Sequence, residues 1–328
     1  MKGNRIIGTG MGLPARVVTN DDLAKIVDTT DEWIFSRTGI RERRIAEDHE
    51  TTSDFGALGA TNAMEMAGIG PEEIDLIIVA TLSPDRLLPS TACLVQGKIG
   101  AKNAACFDLE AACSGFVYGL AVANGMMPDL GVKTALVIGA ETLSRVLDWT
   151  DRNTCVLFAD GGGAAILRHD GDRESGLLST YLKADGSAPP PWLAVEPGVA
   201  DLNPLSEYGS KDFAIRMEGK EVFKFGVRAL PDAINGALER AEGVTLDDVK
   251  LILPHQANVR IIEAAAKNLG IPKERFFINL DKYGNTSAGT VPIALDDANR
   301  QGLIQEGDVI ALAGFGAGLT WAGAIVRW

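Results

Sequence analysis

The chain has 328 residues, room for two domains or one duplicated unit. With 46% hydrophobic and 23% charged residues it is neither disordered nor fibrous, and its net charge of −13 argues against a general nucleic-acid binder. No apolar run reaches the ~18 residues that a membrane span requires. The opening Met1–Arg5 has too little apolar sequence behind it for a signal peptide, so the expected compartment is the cytoplasm. The four cysteines (Cys93, Cys106, Cys113, Cys155) then read as thiols. Without CxxC spacing they predict no structural zinc.

In chain order, Ile74–Thr81 predicts a buried strand, Thr91–Ile99 a helix, Ala104–Leu109 a strand and Ser114–Met126 an apolar helix. Ala135–Gly139 and Thr154–Phe158 predict two more strands. Apolar runs that do not alternate indicate sheets covered on both faces. The stretch from Asp170 to Asp212, with Ala188-Pro189-Pro190-Pro191-Trp192, reads as a long loop. A helix from Met217 to about Arg240 follows, interrupted at Pro231.

The chain resembles itself. Ala63–Ile78 matches Ala237–Leu253, and Gly131–Gly139 matches Gly307–Phe315, both at an offset of about 175 residues. Each half also closes on a Gly-Ala strand, Gly163–Leu167 and Gly323–Val326.

Only three histidines exist. His49 and His169 sit in charged turns and read as solvated. His255 follows the strand Leu251–Leu253 and precedes a helix with Ile261, Ile262 and Leu269. That is the carboxyl end of a buried strand, where open α/β sheets place their sites, although a capping or core histidine would occupy it equally well. Cys113 lies between a strand and an apolar helix, where the helix dipole and free N–H groups favour thiolate. Cys93, Cys106 and Cys155 lie in apolar runs and read as small core residues. Gly284-Asn285 is either turn and cap chemistry or an amide donor on a rigid loop. Gly314–Gly318, after the strand Val309–Ala313, offers backbone N–H donors to an oxyanion.

Together, Cys113 in EAACSGF, His255 in PHQAN, Asn285 in YGNTSAG and the terminal GFGAGLTWAGAIVRW resemble the 3-oxoacyl-[acyl-carrier-protein] synthase III family. Thr29–Trp33 with Arg37–Arg43, and Asp151–Thr154, extend the resemblance nearly end to end. It implies a thiolase-like duplicated α-β-α-β-α fold with mixed, mostly parallel sheets. Residues 1–170 would form the half carrying the nucleophile and 171–328 the half carrying His255, Asn285 and the glycine loop. It also implies an initiating condensing enzyme of type II fatty-acid synthesis, with no cofactor and no metal. Cys113 would take the acyl group of a short acyl-CoA; malonyl-carrier protein would then lose CO2, and His255 and Asn285 would stabilise the enolate. The N–H groups of Cys113 and of the Gly316-Ala317 turn would hold the acyl-transfer oxyanion.

By the same resemblance, Thr29, Trp33, Arg37 and Arg152 would bind the nucleotide end of CoA, and Gly219, Phe223 and Asn258 its pantetheine arm. An acidic carrier protein would meet Lys220, Lys224 and Arg228 on one helical face, and Gln256, Ala257, Asn258, Val259, Arg260 and Lys267 around the next helix. Leu88 stands where some members place phenylalanine against the acyl pocket of a partner subunit, and a homodimer is implied. Ala317 replaces a glycine common in the family and would be strained at positive φ.

Elongating synthases need a second histidine where Asn285 stands, and thiolases a cysteine beyond Cys155. A plant-type polyketide synthase shares Cys-His-Asn but is longer. A related polyketide condensing enzyme and a non-catalytic acyl-binding protein stay open. A papain-like peptidase also orders Cys, His and Asn this way, but the α/β duplication and absent secretion signal oppose it.

Overall fold

The computed structural model describes residues 4–169, 175–187, 192–198 and 213–328. The first part runs β1 (Asn4–Gly12), β2 (Val17–Thr19), α1 (Asn20–Leu23), α2 (Asp31–Thr38), β3 (Glu42–Arg44), α3 (Thr52–Ala67), β4 (Leu76–Ala80), α4 (Thr91–Ile99), β5 (Ala105–Leu109), α5 (Gly115–Leu130), β6 (Thr134–Thr142) and β7 (Asp160–His169). The second runs β8 (Gly176–Ala184), β9 (Leu193–Glu196), β10 (Ala214–Met217), α6 (Gly219–Leu238), β11 (Val249–Pro254), α7 (Val259–Leu269), α8 (Leu280–Tyr283), α9 (Thr290–Arg300), β12 (Val309–Gly316) and β13 (Thr320–Arg327).

Two sheets repeat one order. The first is β1-β7-β6-β4-β5 and the second β8-β13-β12-β11. A parallel bridge from Ile252 to Phe276 stands where β5 stands in the first. The central strands β4, β6 and β12 are buried along their whole length, as their unbroken apolar runs predict. The sheets are mixed rather than mostly parallel. β4 pairs in parallel with β5 and β6, and β11 with β12, but β7 and β13 run antiparallel to both of their neighbours.

Helices α5 and α9 fill the space between the sheets. Val117 and Leu120 from α5, and Val291 and Leu295 from α9, pack with Ile78 and Val137 of the first sheet and Leu253 and Leu312 of the second. Helices α3 and α4 cover the outer face of the first sheet, α6 and α7 that of the second. The result is the expected five-layer α-β-α-β-α sandwich. Both middle helices are entered through a short 3₁₀ turn, Ala112–Ser114 before α5 and Ser287–Gly289 before α9. Ala112 (φ 45°) and Ser287 (φ 49°) occupy the left-handed region at the same place in each turn, at the offset of the sequence repeat.

Three expectations change. Thr154–Phe158 is a turn with a single bridge, from Phe158 to Asn285, because its apolar residues cap a small separate cluster with Leu23 and Ile34 instead of joining a sheet. Helix α6 runs unbroken through Pro231: one lost hydrogen bond is outweighed by burial of that face against the second sheet. The supposed loop contains β8, which completes the second sheet, and β9, which pairs with β10; Ala188–Pro191 and the 170/171 division lie outside the described residues. No helix among the described residues is long and apolar enough to cross a membrane.

Close approach between layers requires glycine at Gly139, where a Cβ would lie 2.1 Å from the Ala288 carbonyl oxygen. Gly97, in α4, has nothing within 4 Å of that position. Gly139→Ala should therefore cost about 3 kcal/mol, while Gly97→Ala should add up to ~1 kcal/mol through helix propensity. Denaturant unfolding of both variants checks the pair.

Candidate active site

Cys113 lies in the 3₁₀ turn between β5 and α5 and is 4% exposed. The end of β12 lies against it so closely that a Cβ on Gly316 would sit 2.5 Å from the Cys113 nitrogen, and one on Gly314 3.0 Å from the Ser114 Cα. Below the turn, Ser114 Oγ donates to the Ala111 carbonyl at 2.8 Å and Thr320 Oγ1 to the same oxygen at 2.9 Å. The sequence expectation of a favoured thiolate does not hold for this resting geometry. Burial pushes the Cys113 thiol up to about 12, and the Ser287 hydroxyl opposes that only in part. Loss of hydration outweighs the helix dipole.

His255 closes β11, its N–H donating to the Ala313 carbonyl at 2.7 Å. The ring packs edge-on against Phe315 at 5.3 Å, and Nδ1 lies 2.7 Å from Thr290 Oγ1. Burial brings the imidazole down to about 3, so it is neutral across the physiological range. Asn285 is fixed through its backbone to Leu157 and Ala159. Its Oδ1 accepts from the Ser287 N–H at 2.9 Å, which leaves Nδ2 as the free donor. Cys113, His255 and Asn285 line one cavity of about 90 Å³ with Phe223, Phe315 and Gly316. A second cavity of about 120 Å³ opens on the other side of Cys113, walled by Leu82, Leu143, Ile215, Ser287 and Ala317. Ala317 carries no positive φ; that conformation falls on Gly318 (φ 122°), so the expected strain is absent.

Thr30 caps α2 by accepting from the Trp33 N–H at 3.1 Å, which places Trp33 on the first turn. The guanidinium groups of Arg37 and Arg152 lie 4.6 and 5.0 Å from the Trp33 ring. Thr29 Oγ1 is buried without a partner beside them in sequence. Asn258 caps α7 and donates to the Arg37 carbonyl at 2.9 Å, tying α2 to the second half, and it lines the cavity with Gly219 and Ala257. Lys220, Lys224, Arg228, Arg260 and Lys267 are all exposed, with Val259 half-buried between the helices. Lys224 is paired with Glu221, and Arg260 stacks 5.6 Å from Phe223.

Some assignments need correction. Gln256 is 1% exposed, because its amide spans Pro254, Phe277 and Asn279, and it cannot touch a docked protein. The expected place of Leu88 is a partner's pocket rather than its own, and the side chain is 85% exposed and walls neither cavity of its own chain. Cys93 is exposed rather than core, and His169 is half-buried against Asn4 Oδ1 at 2.6 Å. Sequence reading also passed over Ser287, although it lies within the quoted YGNTSAG, and Glu141, the lone charge in the apolar run of β6. An acid inside an otherwise apolar strand was the available signal.

A duplicated, layered α/β fold with a cysteine facing a neutral imidazole and a carboxamide, and with a glycine strand end behind it, defines a condensing-enzyme class of acyltransferase. Two family models match, 3-oxoacyl-[acyl-carrier-protein (ACP)] synthase III over residues 107–186 and its C-terminal region over 238–328. The chain is 51% identical to the beta-ketoacyl-[acyl-carrier-protein] synthase III of Clostridium acetobutylicum over 100% of this chain and 99% of that one. It is 50% identical to the Xanthomonas euvesicatoria enzyme of the same name over 99% and 98%. The crystal structure of the Aquifex aeolicus synthase III superposes with a TM-score of 0.91 at 47% identity, covering 99% of this chain and 100% of that one. The chain belongs to the beta-ketoacyl-[acyl-carrier-protein] synthase III family, the initiating condensing enzymes of fatty-acid synthesis. Among the described residues no cluster of His, Cys, Asp or Glu is arranged to hold a metal.

With only three histidines, the imidazole states are directly readable by ¹⁵N NMR. A pKa lowered to about 3 means that His255 stays neutral as pH falls from 8 to 5. An imidazolium signal from His255 appearing near pH 6.5 would contradict this.

Proposed function

We propose that a short acyl-CoA and malonyl-carrier protein are the two substrates, that Cys113 carries the acyl group between them, and that the product is a 3-oxoacyl-carrier protein. The observation that carries this reading is the single cavity shared by Cys113, His255 and Asn285. The Cys113 sulfur attacks the thioester carbon, the oxyanion meets the N–H groups of Cys113 and of the Gly316-Ala317 turn, and CoA leaves. The acyl chain enters the apolar cavity walled by Leu82, Leu143 and Ile215. Malonyl-carrier protein then loses CO2, and charge builds on its thioester oxygen. Asn285 Nδ2 donates to it, as does His255 Nε2–H once the Thr290 hydroxyl, which donates to the Ser287 carbonyl at 2.9 Å, turns instead to Nδ1. Each such preorganised donor is worth about 3 kcal/mol. The carbanion attacks the acyl carbon and Cys113 leaves as thiolate. A neutral imidazole suits this role, since it donates without giving up its proton.

The Trp33 ring between Arg37 and Arg152, with the unpartnered Thr29 hydroxyl, supports a nucleotide site at the rim. The exposed cations on α6 and α7 support docking of an acidic carrier protein despite the chain's own negative charge. The half-buried Phe107 and Leu109 on edge strand β5, with Leu87 and Leu88 77% and 85% exposed, support a homodimer in which Leu88 reaches the partner's acyl pocket. The halves 1–170 and 171–328 would each supply part of the site, in a cytoplasmic enzyme.

Intact-protein mass spectrometry after incubation with acetyl-, isobutyryl- and longer acyl-CoAs should show one acyl adduct, lost in Cys113→Ser. No adduct with any of them would favour a binding protein. His255→Ala and Asn285→Ala should slow malonyl decarboxylation ~10²–10³-fold while acyl loading falls far less; the reverse pattern would overturn the division of roles. Arg260→Glu should raise KM for the carrier protein about tenfold and leave that for acyl-CoA nearly unchanged.

A further inference from the structure

A neutral imidazole carries one proton on one of two nitrogens, and the hydrogen bonds around the ring decide which. For His255 that decision falls to Thr290, the first residue of α9. Thr290 Oγ1 lies 2.7 Å from His255 Nδ1 and donates to the Ser287 carbonyl at 2.9 Å. The cluster is sealed from solvent, with Thr290 and His255 each 2% exposed and Ser287 not at all. A hydroxyl has a single hydrogen. While it points to the Ser287 carbonyl, Oγ1 can only accept from Nδ1, so the ring proton sits on Nδ1 and Nε2 keeps a lone pair. With Nδ1 turned to Thr290, Nε2 is the nitrogen left for the cavity that His255 shares with Cys113 and Asn285. This arrangement offers an acceptor where a developing enolate needs a donor.

The hydroxyl has a second place to go. The Ser287 oxygen also accepts from the Thr290 backbone N–H, so it keeps a partner when the hydroxyl turns to Nδ1. The turned hydroxyl then satisfies Nδ1 as an acceptor, and the ring proton belongs on Nε2. The two arrangements differ by one hydrogen bond, and neither leaves Nδ1 or the carbonyl alone. The ring does not have to move between them: its backbone N–H is tied to the Ala313 carbonyl, and Phe315 packs against it edge-on.

We infer that Thr290 is a positioning residue that sets the tautomer of His255, Nδ1–H in the free enzyme and Nε2–H when the malonyl substrate selects the turned hydroxyl. The role in decarboxylation rests on the acyl-transfer reading above. In the exchange one proton enters at Nε2 and one leaves from Nδ1, both traded with water, so neither the charge nor the proton count of the site changes. Malonyl decarboxylation thus carries the cost of a hydroxyl rotation. Acyl loading does not, because its oxyanion meets backbone N–H groups instead of the imidazole.

The test is the ¹⁵N spectrum of the substrate-free protein at neutral pH, where three histidines leave little overlap, together with the rates of the two half-reactions. Wild-type His255 should show its proton on Nδ1 and a lone pair on Nε2. Thr290→Val keeps the shape of the side chain and removes the hydroxyl. A buried Nδ1–H would then have no acceptor, so the proton should move to Nε2. Malonyl decarboxylation by this variant should rise about fivefold, the weight of one neutral hydrogen bond, while acyl loading changes far less. Thr290→Ser should restore the wild-type tautomer. Thr290→Ala takes the place of Thr290→Val if the latter folds poorly. A wild-type His255 with its proton on Nε2, or a tautomer unchanged once the hydroxyl is removed, would overturn the inference. Equal losses in both half-reactions, as a merely structural role would give, would overturn it too. A wild-type protein that shows the Nδ1–H form yet gains no acyl adduct would instead overturn the acyl-transfer reading and leave the tautomer assignment standing.

Discussion

The contact that organises this molecule is the seating of a glycine strand end on the backbone of the nucleophile. Gly316 lets β12 approach Cys113 to a distance that no side chain permits, and Gly314 brings it into tight contact with Ser114. That contact joins the second sheet to the turn of the first half, and it brings the backbone donors of one half beside the sulfur of the other. The depth of Cys113, the position of His255 beside Phe315 and the enclosure of both cavities follow from it.

Enclosure then sets the charge states. With water removed, the Cys113 thiol is pushed up and the His255 imidazole down. Both are thus uncharged at rest, and charge arises on the nucleophile only as bonds change, where fixed donors meet it. The cations stay at the rim, on Arg37 and Arg152, and on the exposed faces of α6 and α7.

Much of this was legible in the sequence because local chemistry and tertiary demand agree there. Helix α4 matches its predicted span, and the runs that became β4, β6 and β12 are apolar because both faces are covered. Cys113 and His255 each sit beside a strand end that the pattern revealed, and Asn285 lies on the loop that the sequence placed before a helix. Failures arose where a residue answers to partners distant in sequence. Pro231 survives in α6 because that face is buried, and Gln256 turns inward because Phe277 and Asn279 offer partners. The acidity of Cys113 was misjudged because helix position can be read along the chain, while the water excluded by the opposite half cannot.

The matched kinks at Ala112 and Ser287 bear on how such a centre arises. Copying one unit sets the same bend twice. Here Ala112 corresponds to Ser287, and Ala288 to Cys113, so one copy keeps an alanine where the other carries the nucleophile. A division of labour between twins therefore required only single side-chain changes on a scaffold whose geometry inheritance had already supplied.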